Sequence, residues 1–221
     1  MKEQNIQDSA NFNAYALCLS IFVAALVISQ FLAAKLVMMT FPVLGTLVFP
    51  AGVLAYAITY LCTDVISEIW GKKRAAQSVL FGFISTVIIF LLIWIARLLP
   101  AQPEWQQNVA FNDISTVIMR VTVAGLVAYV ISQYHDVWLY HLLKKITGGR
   151  FLWLRNTVST SLSQFFDTVI FITLAFYGKM DTKILVSMVL GQFTVKVLLA
   201  ILDTPFVYLI VGSLKKRRAH L

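Results

Sequence analysis

The chain has 221 residues, of which 59% are hydrophobic and only 13% charged, with a mean hydropathy of +0.81. A water-soluble domain of this length carries about 25% charged residues, so the composition excludes that class and points to one helical membrane domain. The formal charge of +8 would suggest nucleic acid in a soluble protein, but here the lysines and arginines gather at the ends of apolar runs, where membrane topology accounts for them.

Residues 1–13 read as a polar N-terminal tail. The apolar run Ala14 to Leu36 is too long for a signal-peptide core and shows no convincing cleavage site, so it reads as span one. Pro42 and Gly45 mark a turn, and span two is expected over about Leu47 to Trp70. Span three is expected over about Ala76 to Leu99, closed by Pro100 and Pro103. Residues 101–115, with Glu104, Trp105 and Asp113, are the longest expected loop. Span four follows over about Thr116 to Leu143, span five over Thr157 to Tyr177, and span six over about Lys183 to Leu214. A basic tail, Lys215-Lys216-Arg217-Arg218, ends the series. The expected fold is an all-α integral membrane protein with a six-helix domain over residues 14–214.

Basic residues set the orientation. Lys72-Lys73-Arg74 lies between spans two and three, and Lys144, Lys145, Arg150 and Arg155 between spans four and five. With the C-terminal tail they must share one side, which the positive-inside rule makes cytoplasmic. Both termini are then cytoplasmic and residues 101–115 face out. The parity leaves a 3+3 inverted arrangement open.

Polar groups at membrane depth carry the functional argument. Asp167 sits mid-way along span five, where a carboxylate costs roughly 2.5–3.5 kcal/mol on insertion scales. Thr160, Ser163, Gln164 and Asp167 share one helical face. Span two holds Tyr56, Tyr60, Thr63, Asp64, Ser67 and Glu68. Span four holds Arg120 near its outer end, then Tyr129, Ser132, Gln133, Asp136 and Tyr140 on one face. Span six holds Gln192, Lys196 and Asp203. Asp64 and Asp136 each precede a cytoplasmic lysine by eight residues, placing both about 12 Å inside that end. Asp167 and Lys196 lie within roughly 5 Å of each other in depth.

Plainer readings accompany each. Glu68, His141 and Arg97 can snorkel from span ends, the tyrosines can be packing or interface residues, and His135 reads as a packing residue. Asp167 and Lys196 could be a structural ion pair. Cys18 and Cys62 lie in apolar spans without metal-ligand spacing and read as packing residues. Gly71-Lys72-Lys73 lacks the upstream glycine of a phosphate-binding loop. Neither a metal nor a cofactor is expected. Four spans bringing ionisable or amide groups inward exceed what packing needs, because membrane helices are usually joined by small residues and neutral hydrogen bonds. A polar cavity for a substrate or ion is the better account.

Tyr60-x-x-Thr63-Asp64-x-x-Ser67-Glu68-x-x-Gly71, Arg120 followed by Ala128-Tyr129-x-x-x-Gln133-x-x-Asp136-Val137, Ser159-Thr160 with Asp167-Thr168, and Lys196 together resemble the queuosine precursor transporter family, once grouped with vitamin uptake transporters. The resemblance covers spans two to six and rests on order and spacing. It implies a multi-pass protein of a bacterial or archaeal cytoplasmic membrane that imports 7-deazaguanine precursors of queuosine: 7-cyano-7-deazaguanine, 7-aminomethyl-7-deazaguanine or queuine. It implies no nucleic-acid partner and leaves a homodimer open.

The chemistry of the residues fits such a ligand. A carboxylate can accept its ring N–H and exocyclic amine, a lysine or amide can donate to its carbonyl, and an aromatic can cover its face. Asp167, Lys196, Gln164, Gln133, Tyr129 and Phe166 are the candidate binding residues. Asp64, Asp136, Glu68, Arg120 and Asp203 are the candidates for gating or coupling. Two other readings stand beside this one. The first is a substrate-binding subunit of an energy-coupling-factor transporter. The second is an intramembrane enzyme, for which no Gly-x-Ser lies opposite a histidine and only the equal depth of Asp64 and Asp136 suggests an aspartyl pair.

Overall fold

The computed structural model describes residues 2–147 and 152–219; within them the side chains of residues 2–11, 133, 136, 137, 140, 144, 152–157, 159, 160, 203, 204 and 214–219 lie outside the description. In chain order the elements are helix α1 (Lys2–Leu32), strands β1 (Leu36–Phe41) and β2 (Gly45–Pro50), then helices α2 (Gly52–Trp70), α3 (Lys72–Leu98), α4 (Asn108–Ile146), α5 (Leu152–Phe176) and α6 (Thr182–Ala219).

The chain is a helical membrane protein. Among the described residues, five helical stretches are long and apolar enough to cross a bilayer: Phe12–Leu32, Gly52–Trp70, Lys72–Leu98, Asn108–Ser132 and Thr182–Ser213. A shorter apolar stretch, Ser161–Phe176, belongs to α5. Their outward faces suit lipid: α3 alone exposes Leu80, Phe81, Ile84, Ile88, Leu92 and Trp94. In water such a face would be an aggregation site, whereas hydrocarbon solvates it.

Several boundaries depart from the sequence reading: α1 already begins at Lys2, within the expected tail, and ends at Leu32, and α5 begins at Leu152 instead of Thr157. Leu36 to Pro50 is a two-stranded hairpin, where a turn and the first residues of span two were expected. Helix α2 therefore starts at Gly52 instead of Leu47. Short apolar runs fit strand and helix equally well, and here Pro42 and Gly45 (φ +73°) close the turn that pairs them. Helix α4 begins at Asn108, so half of the expected 101–115 loop is helical. Lys72-Lys73-Arg74 forms the first turn of α3, because a single residue, Gly71, separates α2 from α3. Gly71 adopts φ +84°, which glycine reaches without steric cost, and its N–H donates to the Ser67 carbonyl at 3.0 Å.

The chain divides into two units: Met1–Lys35, Pro50–Pro100 and Val195–Leu221 in the first, Leu36–Phe49 and Ala101–Thr194 in the second. In the first unit, α2 turns Val53, Ala55, Thr59, Cys62, Val65 and Ile66 inward. Helix α3 offers a stripe of small residues, Ser78, Gly82 and Thr86, at four-residue spacing. Phe22 of α1 lies against Gly82, the kind of close approach that small residues permit between membrane helices. Near the α2–α3 turn, Tyr15 meets Trp70 edge-on at 5.6 Å, Arg74 stands 5.2 Å over its ring, and its hydroxyl lies 3.3 Å from Ser78 Oγ.

In the second unit, α4 and α5 run antiparallel, as paired contacts of Arg120 with Leu174, Ser132 with Asp167 and His135 with Ser163 require. The hairpin seats β2 on α6. Val48 N–H donates to Ser187 Oγ at 3.1 Å, and a Cβ on Gly191 would stand 2.5 Å from the Val48 carbonyl oxygen. Glycine at 191 is thus what lets a strand backbone lie directly on the helix. The bond to Ser187 gives this strand N–H a partner on α6.

Candidate functional site

Helical spacing puts Ser132 and His135 on one face of α4, and Ser163, Phe166 and Asp167 on one face of α5. Antiparallel packing brings the two faces into one layer. His135 Nδ1 lies 3.1 Å from Ser163 Oγ, donor and acceptor being set by the tautomer. The Ser132 hydroxyl can donate to the Tyr129 carbonyl at 3.1 Å or to Asp167 Oδ1 at 3.4 Å. The half-buried Asp167 carboxylate thus stands beside a hydroxyl that has a choice of acceptors.

Aromatic rings border this polar layer. The Phe166 ring lies 4.5 Å from that of His135, and Phe165 meets Phe193 of α6 edge-on at 5.5 Å. Phe165 and Phe166 keep substantial exposed surface. The Phe165–Phe193 contact also fixes the register of α6 against α5. It sets Gln192, next to Phe193, at the depth of the Asp167 layer.

The expected site residues fall as follows. Asp167 and Phe166 belong to the layer, and Tyr129 lies one turn from Ser132 on α4 with its side chain partly exposed. Gln164 is half-buried, and its carbonyl accepts the Thr168 hydroxyl at 2.8 Å. Lys196 is buried on the part of α6 that belongs to the first unit. Asp64 and Glu68 are exposed on one face of α2, with Tyr56 and Tyr60 (ring centroids 6.3 Å apart) on the preceding turns. Arg120 grips the end of α5: Nε donates to the Leu174 carbonyl at 3.1 Å and Nη2 to the Tyr177 carbonyl at 2.6 Å. A guanidinium there satisfies terminal carbonyls and meets the negative end of the helix dipole. The side chains of Gln133, Asp136 and Asp203 lie outside the described residues.

Sequence reasoning read His135 as a packing residue and placed Ser132 and Ser163 on polar helix faces without a specific role. The signal available was the i, i+3 pair Ser132–His135 opposite the i, i+4 pair Ser163–Asp167. Among the described residues no group of three or more His, Cys, Asp or Glu side chains could hold a metal ion.

A family model described as "Putative vitamin uptake transporter" matches residues 50–210, well over half of the chain. The chain belongs to this family. Members with curated names agree on the activity. A "Probable queuosine precursor transporter" of Bacillus subtilis is 32% identical over 160 residues, 71% of this chain and 69% of the relative. The "Queuosine precursor transporter" of Escherichia coli is 25% identical over 172 residues, 76% of this chain and 75% of its own. A "Probable queuosine precursor transporter" of Haemophilus influenzae is 24% identical over 130 residues, 59% of this chain and 53% of its own. These are the relatives that the motifs in spans two to six implied, and they are named as transporters, not as enzymes. No solved structure matches the chain.

Proposed function

We propose that this protein imports 7-deazaguanine precursors of queuosine across the cytoplasmic membrane, with all six helices spanning and both termini inside. Relatives named queuosine precursor transporter support the substrate class. The observation that carries the assignment of a site is the α4–α5 layer of Ser132, His135, Ser163 and Asp167 beside Phe165 and Phe166, set within apolar helices. A carboxylate at such depth is costly unless it has work to do.

In this reading Asp167 accepts the ring N–H and exocyclic amine of the base, and the phenylalanine rings cover its flat face. Lys196, assigned by its equal depth in the sequence, donates to the ring carbonyl, with Gln164, Gln133 and Tyr129 as further polar partners. Asp64, Glu68, Asp136 and Asp203 serve gating or coupling, and Arg120 braces the outer ends of α4 and α5 so that the layer keeps its register.

The test is binding and uptake of labelled 7-aminomethyl-7-deazaguanine and 7-cyano-7-deazaguanine by the reconstituted protein. Asp167→Asn sets an amide donor against the donors of the ligand. Losing hydrogen bonds to a charged acceptor, about 1.5–3 kcal/mol, predicts roughly 10- to 100-fold weaker binding with folding retained. If uptake returns in the double variant Asp167→Asn, Lys196→Met, the two residues are a structural pair and the site assignment fails.

A further inference from the structure

Gln192 is 4% exposed, and its Oε1 is buried with no hydrogen-bond partner among the described residues. An amide oxygen left so is rare, because a buried acceptor without a donor loses its hydration for nothing. Its place on α6 is well defined. Gly191, before it, faces β2, and Phe193, after it, faces Phe165 of α5. At 100° per residue, Gln192 occupies the arc between those two contacts, at the depth where Asp167 meets Ser132.

We infer that Gln192 is a ligand-binding residue whose Oε1 accepts an N–H of the imported base. This rests on the reading of the protein as a 7-deazaguanine transporter. The donors of such a base are few. The ring N–H of the pyrimidine portion and the exocyclic amine are matched to the Asp167 carboxylate. The donors left over in every 7-deazaguanine are the second N–H of the exocyclic amine and the N–H of the five-membered ring at position 9, and the position-9 N–H, on the side of the base away from Asp167, is the one assigned to Gln192. A neutral acceptor in a buried place suits that neutral donor, while a second carboxylate would add charge the bilayer resists. The assignment also sets specificity: a nucleoside, with sugar on that nitrogen, has no proton to give and leaves Gln192 unpaired. Sites built to receive a hydrogen bond reject ligands that lack it.

The experiment uses the full chain in lipid nanodiscs, wild type and Gln192→Leu, with 7-aminomethyl-7-deazaguanine and its 9-methyl derivative as probes. Without ligand, Gln192→Leu should melt at or above the wild-type temperature, because an unpaired acceptor has been replaced by an apolar group of similar size. With ligand, it should bind the parent base about tenfold more weakly. The wild type should discriminate against the 9-methyl base, and Gln192→Leu should lose that discrimination. Lower stability of Gln192→Leu without ligand would make the residue structural and overturn the inference. So would unchanged affinity for the parent base. Discrimination that persists in Gln192→Leu would show that bulk alone rejects the methyl group, and would overturn the assignment of the donor. If the wild type binds neither probe, the transporter reading falls and the inference falls with it; wild-type binding with an indifferent Gln192→Leu sinks the inference alone.

Discussion

Gly191→Ala probes the seat of the hairpin, one residue from the buried Gln192. The new Cβ would stand 2.5 Å from the Val48 carbonyl oxygen, 3.2 Å from its carbon and 3.3 Å from Leu47 Cβ. Ordinary contact begins near 3.4 Å, so the strand must retreat by about 0.9 Å at its carbonyl. The obstacle is backbone held by the hairpin, and no flexible side chain can yield in its place. Overpacking of this kind costs about 1–3 kcal/mol. The retreat also strains the 3.1 Å bond from Val48 N–H to Ser187, worth about 0.5–1.5 kcal/mol net. Against these stands the helix propensity of alanine over glycine, about 1 kcal/mol. The clash wins, and the variant should lose about 1–3 kcal/mol. Thermal unfolding in detergent should show a fall of about 2–4 °C per kcal/mol, by the scaling for chains of this length. Gly125→Ala is the control: its new Cβ meets nothing nearer than Phe171 Cε2 at 4.0 Å, so propensity should prevail and stability should hold or rise. A Gly191→Ala protein as stable as Gly125→Ala would refute the direct seating of β2 on α6.

Arg120→Met should destabilise by about 2–4 kcal/mol, since two carbonyls at the end of α5 lose charged donors at 3.1 and 2.6 Å; thermal unfolding measures it, and an unchanged melting temperature would count against the brace. Asp64→Asn, on the exposed face of α2, should impair uptake more than equilibrium binding; equal losses in a folded variant would move Asp64 into the binding site. Single cysteines placed at Lys73 and Gln107 should label from opposite sides of the membrane, and labelling of both from outside would overturn the proposed topology.

The sequence by itself determined the solvent of this protein, because scarcity of charge and the length of apolar runs are sums over local residues and need no partner. It also placed Asp167 among Ser163 and Gln164 on one helical face, since that follows from the period of a single helix. Pairings across helices were different. Whether Ser132 meets Asp167, or His135 meets Ser163, depends on the rotation and register of α4 against α5, which the period of neither helix contains. For the same reason Arg120, a polar residue near a span end in the sequence, became a clamp on α5 only once Leu174 and Tyr177 were beside it. The hairpin at Leu36–Pro50 escaped because short, largely apolar runs suit strand and helix alike; what settled it was distant chain, the Ser187 hydroxyl and the bare Cα of Gly191. An unpaired amide oxygen at Gln192 is likewise a property of surroundings, and surroundings exist only in the folded chain.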